Sequence, residues 1–156
     1  MRTARWETDK AMSDNVELLR AVYEDFNAQG SLPFDLMTDD VEFRQPDQIG
    51  GGEGAYHGHE GVARGVNELF DVFDDVSCWP ERFIPADDYV VVFVRLGGRA
   101  KVSGVPIDAS FAHVWRFRDG QIDLWHAYPD RQEALKAVGL ADLDPTPEGD
   151  EAASPD

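Results

Sequence analysis

The chain is poor in cysteine, in positive charge and in long apolar runs. Its one cysteine, Cys78, excludes an intramolecular disulfide. No apolar stretch of a secretory signal stands in MRTARWETDK, which together with the lone cysteine predicts a cytoplasmic protein. No run of about eighteen apolar residues exists to span a bilayer. Only 14 lysines and arginines oppose 31 aspartates and glutamates, a net charge of −17, so phosphate backbones and anionic membranes are disfavoured as partners. Lysine is scarcest, 3 against 11 arginines, a bias shared by GC-rich genomes and high-salt habitats.

What remains describes one globular domain: 156 residues with 42% hydrophobic and 11% aromatic content. The tail 141–156 holds six acids, three prolines and no base, too little apolar surface to offset its ordering entropy, and is predicted disordered. Without it the body still carries 25 acids against 14 bases. Residues 1–12 show no periodicity and read as a loose arm.

Folding is predicted to begin at Asp14, a cap with Glu17 three residues on, followed by Val16, Leu19, Tyr23 and Phe26 at helical spacing up to Gly30. Ser31 and Pro33 suggest a short second helix. VEFRQP reads as a strand with Val41, Phe43 and Gln45 on one face. DQIGGGEGAYHG reads as a flexible loop or lid, since no Gly-Lys-Ser/Thr follows its glycines. Val62, Val66, Leu69, Phe70 and Phe73 form the core stripe of a third helix from about His59. The period then shortens to two. VSCWPERFI, bulged at Pro80, YVVVFVRL and RAKVSGV are predicted as strands, with turns at 85–88 and at Gly97-Gly98. FAHVWRFRDGQIDLWHAY supplies two more, and residues 131–140 a short helical segment. Helices followed by a mostly antiparallel sheet make an α+β pattern.

Asp119-Gly120 between alternating runs signals a two-residue type I′ hairpin. Continued without interruption, that register sets Arg116 against Asp123 and His113 against His126. It places Phe111, His113, Trp115, Phe117, Ile122, Leu124, His126 and Tyr128 on the interior face. It leaves Ala112, Val114, Trp125 and Ala127 as an apolar patch outside, which predicts a homodimer through the outer sheet face.

YHGHEGVARGVNELF, SGVPIDASFAHVWRFRDGQI and AYPDRQEALKAVGL together resemble the SnoaL-like branch of the nuclear transport factor 2-like, ketosteroid isomerase-like superfamily, over roughly residues 13–140. The resemblance implies a cone-shaped barrel, a curved sheet closed by N-terminal helices. It also implies a range of activities: isomerases, cyclases, dehydratases, epoxide hydrolases and proteins with no chemistry. The position of the ketosteroid isomerase base matches Gln45, which cannot take a proton. Their oxyanion-stabilising acid matches His113, and their helix-one tyrosine matches Val22, with Tyr23 one position along. The acid/base pair of SnoaL-like cyclases matches His113 and His126.

A facing imidazole pair holds one proton comfortably and supplies an acid and a base near neutral pH. The predicted site therefore has His126 as base, and His113 with Gln45 and Tyr23 or Tyr128 on a substrate oxygen. Trp79, Trp115, Phe117 and Phe43 wall an apolar pocket. Its substrate is a small apolar carbonyl compound, handled without a cofactor. The competing reading is a noncatalytic binding or dimerisation module in which the histidines only fill the cone. His57 and His59 form an HxH pair, but Ala63 and Arg64 stand where a further carboxylate ligand belongs, so no metal is predicted. Cys78 has no cationic neighbour in sequence and reads as core.

Overall fold

The computed structural model describes residues 5–45 and 54–145, residues 5–9 by their backbone alone. The glycine run of the predicted lid and most of the acidic tail lie outside the described residues. Helix α1 spans Arg5–Gln29 and a 3₁₀ turn spans Phe34–Leu36. Strands β1 (Met37–Arg44) and β2 (Ala55–His57) precede helix α2 (Gly58–Val72). Strands β3 (Phe73–Ala86), β4 (Tyr89–Ala100), β5 (Pro106–Arg118) and β6 (Gln121–Tyr128) follow, and helix α3 (Arg131–Ala137) closes the order.

α1 starts well before Asp14, so residues 5–12 of the predicted arm are helical. Lys10 pairs with Asp14 one turn on, at 2.9 Å, which supports the early turns without a cap there. Leu19, Val22 and Tyr23 are buried on its inner face. Gly30, at φ +72°, ends the helix by donating its N–H to the Phe26 carbonyl, a left-handed cap that only a residue without Cβ adopts freely. Ser31 caps nothing; the 3₁₀ turn starts behind Pro33 with no side-chain bond.

The strands form one sheet in the order β2-β1-β6-β5-β4-β3. All neighbours are antiparallel except β1 and β6, which run parallel. The cone-shaped barrel implied by the resemblance is corrected here: the sheet curves but does not close, and β2 and β3 are its two edges. The free edge of β3 is met by a side chain instead of a strand. Asn27 of α1 donates to the Cys78 carbonyl (2.9 Å) and accepts the Cys78 N–H (2.7 Å), supplying both bonds that a closing strand would make there. α1 lies against β3 and α2 against β1, both on the concave side. α2 comes so close that a Cβ on Gly65 would stand 2.8 Å from the Phe43 ring.

Gly97 and Gly98 do not turn. They pair inside β4 with Asp108 and Ile107, and the chain reverses at residues 101–103, so RAKVSGV is the hairpin end and not a strand of its own. The physical reason lies across the sheet, where a Cβ on Gly97 would meet the Ser77 hydroxyl at 2.9 Å; these glycines admit the irregular start of β3.

The hairpin after Asp119 is where the predicted register breaks. Asp119 and Gly120 both have positive φ, as a type I′ turn demands. Arg118 pairs with Gln121 and Phe117 with Ile122, but Arg116 then pairs with Leu124, leaving Asp123 as an extra residue in a bulge. Beyond it Trp115 faces Trp125, Val114 faces His126 and His113 faces Ala127. Every later residue of β6 is therefore turned to the other side of the sheet.

A second, smaller core sits on the convex side, where Ala134 and Leu135 of α3 cover Ile84, Val91, Phe93, Ala112 and Val114. Asp130 caps that helix through the Gln132 and Glu133 N–H groups. Packing continues to Leu143, and Arg82 donates to the Asp144 carbonyl, so the chain past Leu140 lies on this layer. The predicted outer patch is thereby corrected: Trp125 and Ala127 belong to the inner core, while Ala112 and Val114 are roofed by α3. The apolar face from which a homodimer was inferred does not exist in that form.

Candidate functional site

The concave face and the two long helices enclose an apolar cavity. Its volume is about 60 Å³. Its lining brings together Tyr23 from α1, Phe43 and Gln45 from β1 and its end, Cys78 from β3, His113 and Trp115 from β5, and Trp125 and Ala127 from β6. Trp125 lies between two rings, 4.2 Å from Phe43 and 4.9 Å from Trp115 by centroid. These stacks, together with the large apolar area of an indole, explain why the bulge turns a tryptophan inward and a histidine outward.

A chain of hydrogen bonds crosses this wall. Trp115 Nε1–H can only donate, and it donates to Tyr23 Oη at 2.9 Å. Tyr23 Oη lies 2.7 Å from His113 Nδ1. A neutral imidazole that accepts at Nδ1 carries its proton on Nε2. His113 is 6% exposed, and burial pushes its pKa down from 6.5 to about 3, so it stays neutral at physiological pH. Burial also raises the Tyr23 phenol well above its ordinary value and pushes the Cys78 thiol up to about 12. Trp115, Tyr23 and His113 thus form one hydrogen-bonded chain that reaches a residue lining the cavity; with the phenol donating to Nδ1, the His113 proton sits on Nε2. Beside it, the Trp125 indole N–H is buried with no hydrogen-bond partner, an uncompensated donor. Gln45 is buried and gives its amide N–H to the Gly65 carbonyl at 3.3 Å, which leaves its oxygen as an acceptor.

The predicted cross-strand histidine pair does not form. His126 lies on the convex side, stacked on Tyr128 at 4.0 Å, in an open cleft with Arg44 and Pro129. Burial, and then the neighbouring Arg44 charge, lower its pKa. Tyr128 is outside with it. Trp79 also points outward and is 58% exposed, so it walls nothing. Phe117 is buried in the inner core without lining the cavity. The sequence reading missed Trp125 as a lining residue. No local signal marked it: the Arg116–Asp123 pair fits the unbroken register too, and only the structure shows Asp123 2.8 Å from Arg116 and 3.6 Å from Arg118 in the bulge.

His59 Nε2 lies 3.3 Å and 3.1 Å from the Met37 and Thr38 carbonyls and ties α2 to β1. Among the described residues no group of three or more His, Cys, Asp or Glu side chains is placed to hold a metal. Among them, too, no helix is long and apolar enough to cross a membrane.

The matches to known proteins agree with this architecture. An NTF2-like protein of unknown function from Burkholderia pseudomallei is 26% identical, with a TM-score of 0.67 over 80% of this chain and 97% of its own. TerC, co-crystallised with polyporic acid, is 25% identical, with a TM-score of 0.64 over 80% of this chain and 96% of its own. A protein of ketosteroid isomerase-like fold from Catenulispora acidiphila, in complex with trimethylamine, shares the fold at 20% identity, with a TM-score of 0.60 over 82% of this chain and 97% of its own. No curated protein matches the sequence. The SnoaL-like domain model matches residues 19–125, which include α1 from Leu19, the sheet as far as Trp125 and every lining residue except Ala127, and the chain belongs to that family.

Proposed function

We propose that the protein binds a small, largely apolar molecule in the inner cavity and holds its oxygen on His113 Nε2–H. The observation that carries this reading is the hydrogen-bonded chain of Trp115, Tyr23 and His113, which orients a neutral imidazole at the cavity wall. It gives an apolar site one oriented polar anchor, the usual form of a small-molecule pocket. A neutral imidazole donor also polarises a carbonyl, the electrophilic half of cofactor-independent isomerase, cyclase or lyase chemistry. TerC, which shares the fold at 25% identity, was crystallised with an organic ligand, in keeping with a binding role for this architecture.

A noncatalytic binding module is the second reading, favoured by the absence of any carboxylate among the described lining residues and by the outward turn of His126. Both readings require the same anchor, and calorimetry with a panel of aryl ketones tests it. His113→Ala is expected to weaken binding about tenfold, the worth of roughly one hydrogen bond to a buried ligand. His126→Ala is expected to leave binding unchanged. Equal affinity of the wild type and His113→Ala would sink the proposal. Turnover of any ketone in the panel, lost in His113→Ala, separates the enzyme from the carrier.

A further inference from the structure

We propose that the inner cavity selects the uncharged form of an ionisable ligand, so that a phenol or enol enters as the neutral molecule and its anion is refused. The inference rests on the reading of that cavity as the binding site.

The argument starts from the lining. Among the described residues it contains no Asp, Glu, Lys or Arg from any of the elements around it. Charged side chains of the packed helices are engaged behind the wall: Arg20 of α1 lies over the Phe83 ring at 4.5 Å, and Glu68 of α2 takes the Tyr56 hydroxyl. Among the described residues a buried anion would therefore find no counter-charge. It would meet only neutral polar side chains of the lining, among them His113, Gln45 and Trp125. Two neutral hydrogen bonds do not replace the hydration shell of an anion in an apolar enclosure, whereas they satisfy a neutral oxygen fully.

The approach to the cavity works in the same direction. A neighbouring cleft shares Val22, Ser31, Leu32 and Pro33 with it and carries Asp25 and Asp35. With a net charge of −17 on the whole chain, the overall potential opposes the approach of anions. The titratable lining groups are Tyr23, Cys78 and His113, and burial holds each of them neutral across the range from pH 6 to 9. Any pH dependence of binding in that range belongs to the ligand.

Calorimetric titration of the full chain with 4-nitrophenol and with the non-ionising 4-nitroanisole, from pH 6 to 9, tests this. The dissociation constant of nitroanisole is expected to stay flat. That of nitrophenol is expected to rise tenfold per pH unit above its own pKa, and to do so at low and at high salt alike. Nitrophenolate bound as tightly as the phenol overturns the selection while leaving the binding site intact. Discrimination that vanishes at high salt also overturns it, because the effect then belongs to the surface charge and not to the cavity. Failure of both probes to bind, or binding that His113→Ala does not weaken, overturns the site and the selection together.

Discussion

His113 is the residue whose surroundings say most. It is buried, it is neutral, and it is hydrogen-bonded to Tyr23, which Trp115 holds in turn. Burial holds its pKa at about 3 in the folded chain against 6.5 when exposed. Between those values the unfolded chain takes up a proton that the folded chain refuses, so stability is full above pH 6.5 and falls as the pH drops toward 3. The slope from this group is at most on the order of 1.4 kcal/mol per pH unit. Urea unfolding is expected to show the wild type losing stability more steeply than His113→Gln between pH 6 and 4; parallel slopes would contradict the buried, neutral assignment. Tyr23, Phe43, Gln45 and Trp115 could be picked from the sequence because each follows from the local period of its own helix or strand. Trp79 could not, since its orientation depends on the irregular pairing of β3, which shifts register before Ser77 and again between Pro80 and Arg82.

At the level of elements, the β5–β6 hairpin shows how far alternation carries. The turn type follows from Asp-Gly, and the first pairs follow from the turn. One extra residue at Asp123 then inverts the whole remainder of β6, exchanging His126 for Trp125 as the inward side chain. The ion pair that looked like evidence for an unbroken ladder is real, at 2.8 Å, but it clamps the bulge. Asp123→Ala removes a buried carboxylate that binds Arg116 and faces Arg118, and is expected to cost about 2 kcal/mol. The tryptophan near-UV circular dichroism is expected to stay native, since the Trp115–Trp125 and Trp125–Phe43 stacks hold the register. A native-like stability, or a lost tryptophan signal, would show that the bulge is held otherwise. The early start of α1 and the three-residue strand β2 were equally hidden, because neither carries an apolar period of its own.

For the whole molecule the dominant surface fact is charge. With 31 acids and 14 bases, self-repulsion opposes the compact state, and added salt screens it. Raising sodium chloride from low to about 0.5 M is expected to stabilise the fold by roughly 1 kcal/mol, a few degrees in Tm. A fall in Tm over that range would mean that the surface ion pairs outweigh the net repulsion.

Helix stripes, the hairpin turn, the α+β class and the family were all present in the order of residues, because each is a local pattern or a run of adjacent motifs. Four things arose only when distant segments met. The sheet stays open, and at the edge of β3 Asn27 of α1 takes up the Cys78 backbone groups. The parallel pairing of β1 with β6 joins strands far apart in the chain, so no local period encodes it. A patch of the convex side around Val91, Phe93, Ala112 and Val114 is covered because α3 folds back over it, and the inward face of β6 was chosen by competition between an indole and an imidazole for the core, which the indole wins by its apolar area.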